Sequence, residues 1–258
     1  MTAMMIEPDE APIVQLFLTV SFTPALSDLS ILDLADVQRL FRDEFPVFKQ
    51  LKRAGPMSFQ LEQNEPDLAQ IMGLPRLAFA SESTGTQVLF QNDRVSFSWN
   101  RTSTLDAKPD YPGFDALFTQ FKRHIGAIVS WAGARDIEIA PSVGELAYTD
   151  AFTLQTEDGT PRCISDIFGF VSPPEKNPAY MFDYSWAESL PDEQDGYLDV
   201  TASGPASSPD GVEVATLETT ARFDASGGWS DLSRPFGSAH QAAHGLFRRV
   251  VKPATSAR

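Results

Sequence analysis

The chain has 258 residues, 42% of them hydrophobic and 21% charged, which is enough apolar material for a sizeable core and excludes global disorder. Its 35 acidic residues against 20 basic ones give a formal charge of −15 at pH 7, a field that repels phosphate backbones and anionic bilayers, so neither nucleic acid nor a membrane is an expected partner. The one cysteine, Cys163, excludes an internal disulfide and any multi-thiolate metal site within a chain, and fits a reducing, cytoplasmic setting.

The run from Ile13 to Phe22 is dense in β-formers and ends at Pro24, the pattern of a buried strand. Its apolar part, Ile13 to Val20, is too short to span a bilayer, and acidic residues between Met1 and Glu10 stand where a secretory signal carries positive charge. Asp33 is placed to cap a helix whose Leu34, Val37, Leu40, Phe41 and Phe45 recur at spacings of three and four until Pro46 stops it. Ala54 to Leu74 has no clear period and reads as a loop holding a short helix between Glu65 and Met72. Three strands follow, Arg76 to Ser81, Gln87 to Gln91 and Arg94 to Arg101, joined by turn-forming segments into an antiparallel meander.

Beyond Tyr111-Pro112-Gly113, the residues Phe114, Leu117, Phe118, Phe121, Ile125, Ile128 and Val129 mark the clearest helix, Phe114 to Ala132. The second half predicts a strand from Val143 to Leu154, a short helix from Ile164 to Phe168 before Pro173-Pro174, and strands Ala179 to Trp186, Tyr197 to Ser203 and Val212 to Phe223. A closing helix, Pro235 to Lys252, accepts its proline in the first turn and buries Ala239, Ala243, Leu246, Phe247 and Val250. Residues 1–135 and 136–258 thus each read strand, helix, three strands, long helix. The expected fold is α+β, a curved antiparallel sheet with long packed helices, built as two pseudo-repeats in two halves or one continuous domain.

Chemistry-bearing residues are few. His124 stands between two stripe residues of its helix, which assigns it to a surface or boundary position. His240 and His244 lie four apart and share a helix face, but the His-Gln-Ala-Ala-His sequence lacks the glutamate a metallohydrolase uses as base, and no metal is expected there. There is no Gly-x-Ser-x-Gly elbow, no Walker loop and no dinucleotide fingerprint, and Cys163 has Arg162 but no histidine nearby. No catalytic set and no cofactor are therefore nominated. Asp183, Glu188, Asp192, Glu193, Asp195 and Asp199 read mostly as a solvated acidic loop.

Several segments taken together are familiar: Ser21-Phe22-Thr23-Pro24, the strand Gln91-Asn92-Asp93-Arg94-Val95-Ser96-Phe97-Ser98-Trp99-Asn100-Arg101, Tyr111-Pro112-Gly113-Phe114, Glu145-Leu146-Ala147-Tyr148-Thr149-Asp150, and Ala239 to Phe247. In their order they resemble a sporadically distributed family of uncharacterised bacterial proteins with no assigned activity, differing from its pattern at Ser98 and Asp150. The resemblance implies a bacterial origin and an accessory gene. It implies no reaction.

Arg94 on one central strand and Glu145 on another are expected to form a partly buried pair that fixes architecture. The expected ligand-binding residues are Arg94, Trp99, Glu145, Tyr148, His240 and His244. The leading functional expectation is a non-enzymatic interaction module, immunity- or antitoxin-like, whose acidic surface engages a basic protein partner. The alternative is a small-molecule binding domain with an aromatic-lined cavity between sheet and helix, near Trp99, Tyr148 and Phe247. A third reading is a hydrolase using His240, His244 and a carboxylate such as Glu145 or Asp150. Oligomeric state is left open.

Overall fold

The β-branched and aromatic run at the start of the chain forms strand β1 (Ile13–Thr23). A computed structural model of the protein describes residues 13–26, 29–55, 57, 75–101, 110–155, 161–171, 181–191, 194–207 and 211–252. β1 is hydrogen-bonded on both sides, antiparallel to β5 (Arg94–Asn100) and to β6 (Ala140–Thr153). It therefore joins the two halves of the chain into one nine-stranded antiparallel sheet.

Outward from β5 run β4 (Thr86–Gln91), β3 (Arg76–Ser81) and β2 (Val47–Leu51). Outward from β6 run β9 (Glu213–Asp224), β8 (Gly196–Ser207) and β7 (Phe182–Ser189). The sheet and four helices among the described residues make an α+β protein, and none of those helices is long and apolar enough to cross a membrane.

Strand periodicity decides which side chains meet the helices. Leu16, Leu18 and Val20 of β1 lie opposite Trp99, Phe97 and Val95 of β5, and Leu16 and Leu18 also face Tyr148 and Leu146 of β6. This face is covered by helix α2 (Phe114–Gly133) and helix α4 (Ser233–Val250), whose apolar stripes fold onto it. Phe236 of α4 binds the layers together, its ring 4.9 Å from Phe223 on β9 and 5.2 and 5.6 Å from Phe118 and Phe121 on α2. Gly144 is required here, because a Cβ on β6 at that position would fall inside the ring of Phe223.

Most of the expected elements are present, with shifted ends. Helix α1 (Ile31–Phe41) starts one turn earlier than its apolar period implies: Ser30 is the cap, and Asp33 is its reciprocal partner, accepting from the Ser30 N–H at 2.8 Å. Leu40 is 42% exposed, and Phe45 is buried beyond the helix end, so the stripe stops short of Pro46. The segment after that proline is strand β2 rather than an unassigned link to a loop. Its Lys49 and Gln50 face solvent, which hides an edge strand from hydrophobic patterning.

The short helix α3 (Ile164–Ile167) is where it is expected, while the segment 65–72 and Pro173-Pro174 lie outside the described residues. Asp183 and Glu188 are on β7 and Asp199 is on β8, so these three are strand residues and not part of an acidic loop; Asp192 and Glu193 lie outside the described residues. His124 is no surface residue. It is 3% exposed, on the buried face of α2 among Phe41, Phe45 and Phe97.

Candidate functional site

On β6 the two-residue period sends Leu146, Tyr148, Asp150 and Phe152 toward the helices and Glu145, Ala147 and Thr149 to the opposite face. Tyr148 and Asp150 are thus polar side chains on an otherwise apolar surface. A register shift in the β1–β6 pairing sets Ile13 opposite Asp150, and Thr219 of β9 lies opposite Tyr148. Above them, Gly113 adopts φ +87°, a left-handed conformation that suits glycine, and turns the chain into the first turn of α2.

These elements leave a cavity of about 430 Å³ between the sheet, the start of α2 and the middle of α4. Ile13, Phe114, Ala243 and Phe247 give it apolar walls, while Tyr111, Tyr148, Asp150 and His240 bring polar atoms inside. The exposed Asp115 and Arg248 stand at its mouth, with His244 between Arg248 and His240. The volume is in the range of small-molecule sites, and so is the mixture of aromatic walls with a few convergent polar groups.

Within the cavity the Tyr148 hydroxyl lies 2.8 Å from His240 Nδ1. The His240 ring is stacked at 4.2 Å on Phe114, and His244 continues the stack at 6.3 Å. Burial, helped by the charge of His244, lowers the His240 pKa, and burial with the Arg248 guanidinium lowers that of His244. Both imidazoles are therefore biased toward the neutral form. Burial pushes Tyr111 up to about 12 and Tyr148 well above its ordinary value, so both phenols keep their protons.

Asp150 is the most perturbed carboxyl. It is 4% exposed, its pKa is pushed up to about 7 by burial, and its Oδ1 has no hydrogen-bond partner among the described residues. A buried carboxyl oxygen without a donor costs free energy, more so when the group is charged, which is why burial favours the protonated form of Asp150. At neutral pH the group also exists in both protonation states. It can accept a hydrogen bond as carboxylate, donate one as acid, or pass a proton between them.

Of the six residues expected to bind a ligand, Tyr148, His240 and His244 line the cavity. Trp99 is buried behind it, edge-on to Tyr111 at 5.2 Å. Arg94 and Glu145 lie elsewhere and do not pair with one another. Arg94 donates to both Asp93 oxygens, at 3.1 and 3.0 Å, and to the Gly55 carbonyl at 2.6 Å. Glu145 accepts from Arg222 at 2.6 Å on the far face of the sheet, where Arg222 also reaches Tyr197 and Asp199. Arg94 is held by the turn before β5 and by Gly55, and Glu145 by Arg222 of the adjoining strand, and so the pair expected across β1 is not formed.

That face assignment also removes Glu145 from any grouping with His240 and His244, so of the two carboxylates expected with them Asp150 is the one that lines the cavity. Among the described residues no group of three or more His, Cys, Asp or Glu is placed to hold a metal ion. Tyr111, Asp115, Thr219 and Arg248 join the site without having been singled out, since a loop, a helix start, a third strand and a helix end meet only in the folded chain. No protein-family model matches this chain, and no curated protein matches its sequence.

Proposed function

We propose that the protein is a small-molecule-binding domain whose ligand occupies the cavity between β6, the start of α2 and α4. The observation that carries this reading is Asp150, a nearly buried carboxyl that lines a ready-made cavity and has one oxygen without any donor. In a filled core such a group is a liability; beside an open, aromatic-walled space it is a means of orienting a ligand. The order of strands supports a duplicated scaffold: outward from the β1–β6 seam, each half places its first strand, then its last, then those before it. On this reading the site lies where the two pseudo-repeats meet, with Tyr111 and Phe114 from the first and Tyr148, Asp150 and His240 from the second, and the lone cysteine supports a cytoplasmic location.

The test is a fragment screen by protein-observed NMR on the full chain and on Ala243→Phe, which fills the cavity from the buried side of α4. Fragments that shift cavity resonances in the parent and fail to do so in the variant are the expected result. A screen with no such fragments, or with the same ones in both proteins, sinks the reading.

A second reading, an interaction module for a basic protein, is favoured by a separate observation. Met181, Tyr184 and Phe170 are 85%, 54% and 40% exposed beside the edge strand β7, and Phe182 and Trp186 continue the aromatic row. An apolar patch on a chain of charge −15 suits a partner that is apolar at its centre and basic at its rim. Tyr184→Ser with Phe170→Ser would abolish the binding of such a partner while leaving the fragment shifts in place.

A further inference from the structure

The cavity has a polarity that narrows the ligand class beyond the binding reading on which this inference rests. We propose that it selects a compact aromatic or cyclic ligand bearing a protonated amine or amidine, with the cationic N–H group directed at Asp150. Three features of the cavity point the same way.

The inner end offers one carboxyl, hydroxyls that can donate or accept, and no fixed cation. The groups there are the Asp150 carboxyl and the hydroxyls of Tyr148, Tyr111 and Thr219; Arg248, the lining residue with a permanent positive charge, is exposed at the mouth. Asp150 lines the cavity, but its Oδ1 is sealed within the protein, so a ligand N–H would meet the carboxyl at its other oxygen.

Two carboxylates place negative potential on the cavity lining. Secondary to burial, the charges of Asp150 and Asp115 oppose ionisation of Tyr111 and Tyr148, and that of Asp115 favours protonation of His240. The same field stabilises a bound cation. The histidines do not oppose it, because burial biases them toward the neutral form.

The walls suit a cation as well as a ring. Phe247, Tyr111 and Tyr148 present aromatic surface around the space, and aromatic faces attract ammonium and amidinium groups most strongly where water is excluded. A carboxylate or phosphate ligand would meet the opposite situation inside, with Arg248 able to hold it only at the entrance.

The experiment compares benzylamine, benzyl alcohol and benzoate, which share a ring and differ in the polar end, by NMR titration of the full chain at about pH 8, above the titration of Asp150. Benzylamine is expected to bind about 10- to 100-fold more tightly than benzyl alcohol, the usual worth of a hydrogen bond to a charged group, and benzoate more weakly than either. In Asp150→Asn the preference for the amine should vanish, the amine and the alcohol then binding alike.

Because the comparison of the three probes uses the unsubstituted protein, it does not depend on how well the variant folds. Equal affinity for all three, or a preference for benzoate, overturns the cationic class while leaving the binding cavity intact. Failure of every probe to shift cavity resonances overturns both readings.

Discussion

Two buried ionisable side chains, one on each side of the β1–β6 seam, show why burial alone does not make a site. His124 on α2 and Asp150 on β6 are 3% and 4% exposed, and each has a polar atom without a hydrogen-bond partner, Nε2 in one and Oδ1 in the other. Around His124 the space is full. The rings of Phe41, Phe45 and Phe97 lie 5.7, 5.3 and 5.3 Å away, and the Glu44 carboxylate reaches only to 3.9 Å at the edge of the cage. Asp150, by contrast, lines a cavity of about 430 Å³. His124 answers burial by staying neutral and packing as an aromatic ring, whereas Asp150 keeps room for a partner.

The two groups should also respond to acid with opposite signs, which allows the comparison to be broken. Burial raises the folded-state pKa of Asp150 to about 7, against 3.8 when the chain is unfolded. Between these values the folded protein holds a proton that the unfolded chain has lost, so stability falls as pH rises through the window and then levels off. Groups facing it from the surrounding elements are Tyr111, Asp115, Tyr148, His240 and Arg248. Asp150→Asn removes this dependence. Relative to the variant, the parent should lose on the order of 4 kcal/mol between about pH 4 and pH 7.5, measured by urea unfolding at each pH. Parallel pH profiles for the two proteins would mean that Asp150 is solvated and ionised in the folded chain, and the site would lose its defining feature.

For His124 the sign reverses. Burial lowers its folded-state pKa to about 4 from 6.5, with Arg123 adding to the shift and Glu44 opposing it. Below 6.5 the unfolded chain takes up a proton that the folded protein refuses, so stability is complete near neutrality and is lost as pH falls toward 4. His124→Leu should abolish a loss of roughly 3 kcal/mol over that range and should leave fragment binding in the cavity untouched. Because the two windows overlap, the unsubstituted protein should show a flatter acid profile than either variant alone. If instead His124→Leu alters the fragment shifts, the cage and the cavity are one coupled unit and the contrast between them fails.

The elements that were legible in the sequence were those whose apolar period survives folding. The stripes of α2 and α4 gave both long helices, and the run from Arg94 to Trp99 gave a central strand. β2 was hidden because an edge strand with Lys49 and Gln50 toward solvent carries little hydrophobic signal. In the site, His240 and His244 were legible from their four-residue spacing on one helix face, and Tyr148 as an aromatic of the expected cavity. Arg94 and Glu145 both lie on the face of the sheet away from the cavity: Glu145 and Tyr148 are three residues apart, an odd number, and so lie on opposite sides of β6. The same count places Asp150 with Tyr148. An aspartate on the buried parity of a strand was the available signal that separates Asp150 from Glu145, with which the hydrolase reading named it as an equal choice. Tyr111 and Thr219 had no such signal, since only tertiary pairing brings a loop and β9 to the same cavity.

The smallest expected effect concerns what open space does for an unsatisfied group. Tyr148→Phe removes the hydroxyl that lies 2.8 Å from His240 Nδ1 and leaves that nitrogen without its partner. In a filled cage such as that of His124, no water could replace it. Beside the cavity a water molecule can enter and bond to Nδ1, so the loss should stay near 1 kcal/mol, the net worth of one hydrogen bond, rather than reaching the full penalty of a buried polar atom. His240 should keep its stacking on Phe114, and its ring resonances should titrate at a higher pH than in the parent, because the water that enters relieves the burial holding its pKa down. A loss of several kcal/mol with an unchanged His240 titration would show that the cavity stays dry at this end, and the distinction between a filled and an open environment would then rest on Asp150 alone.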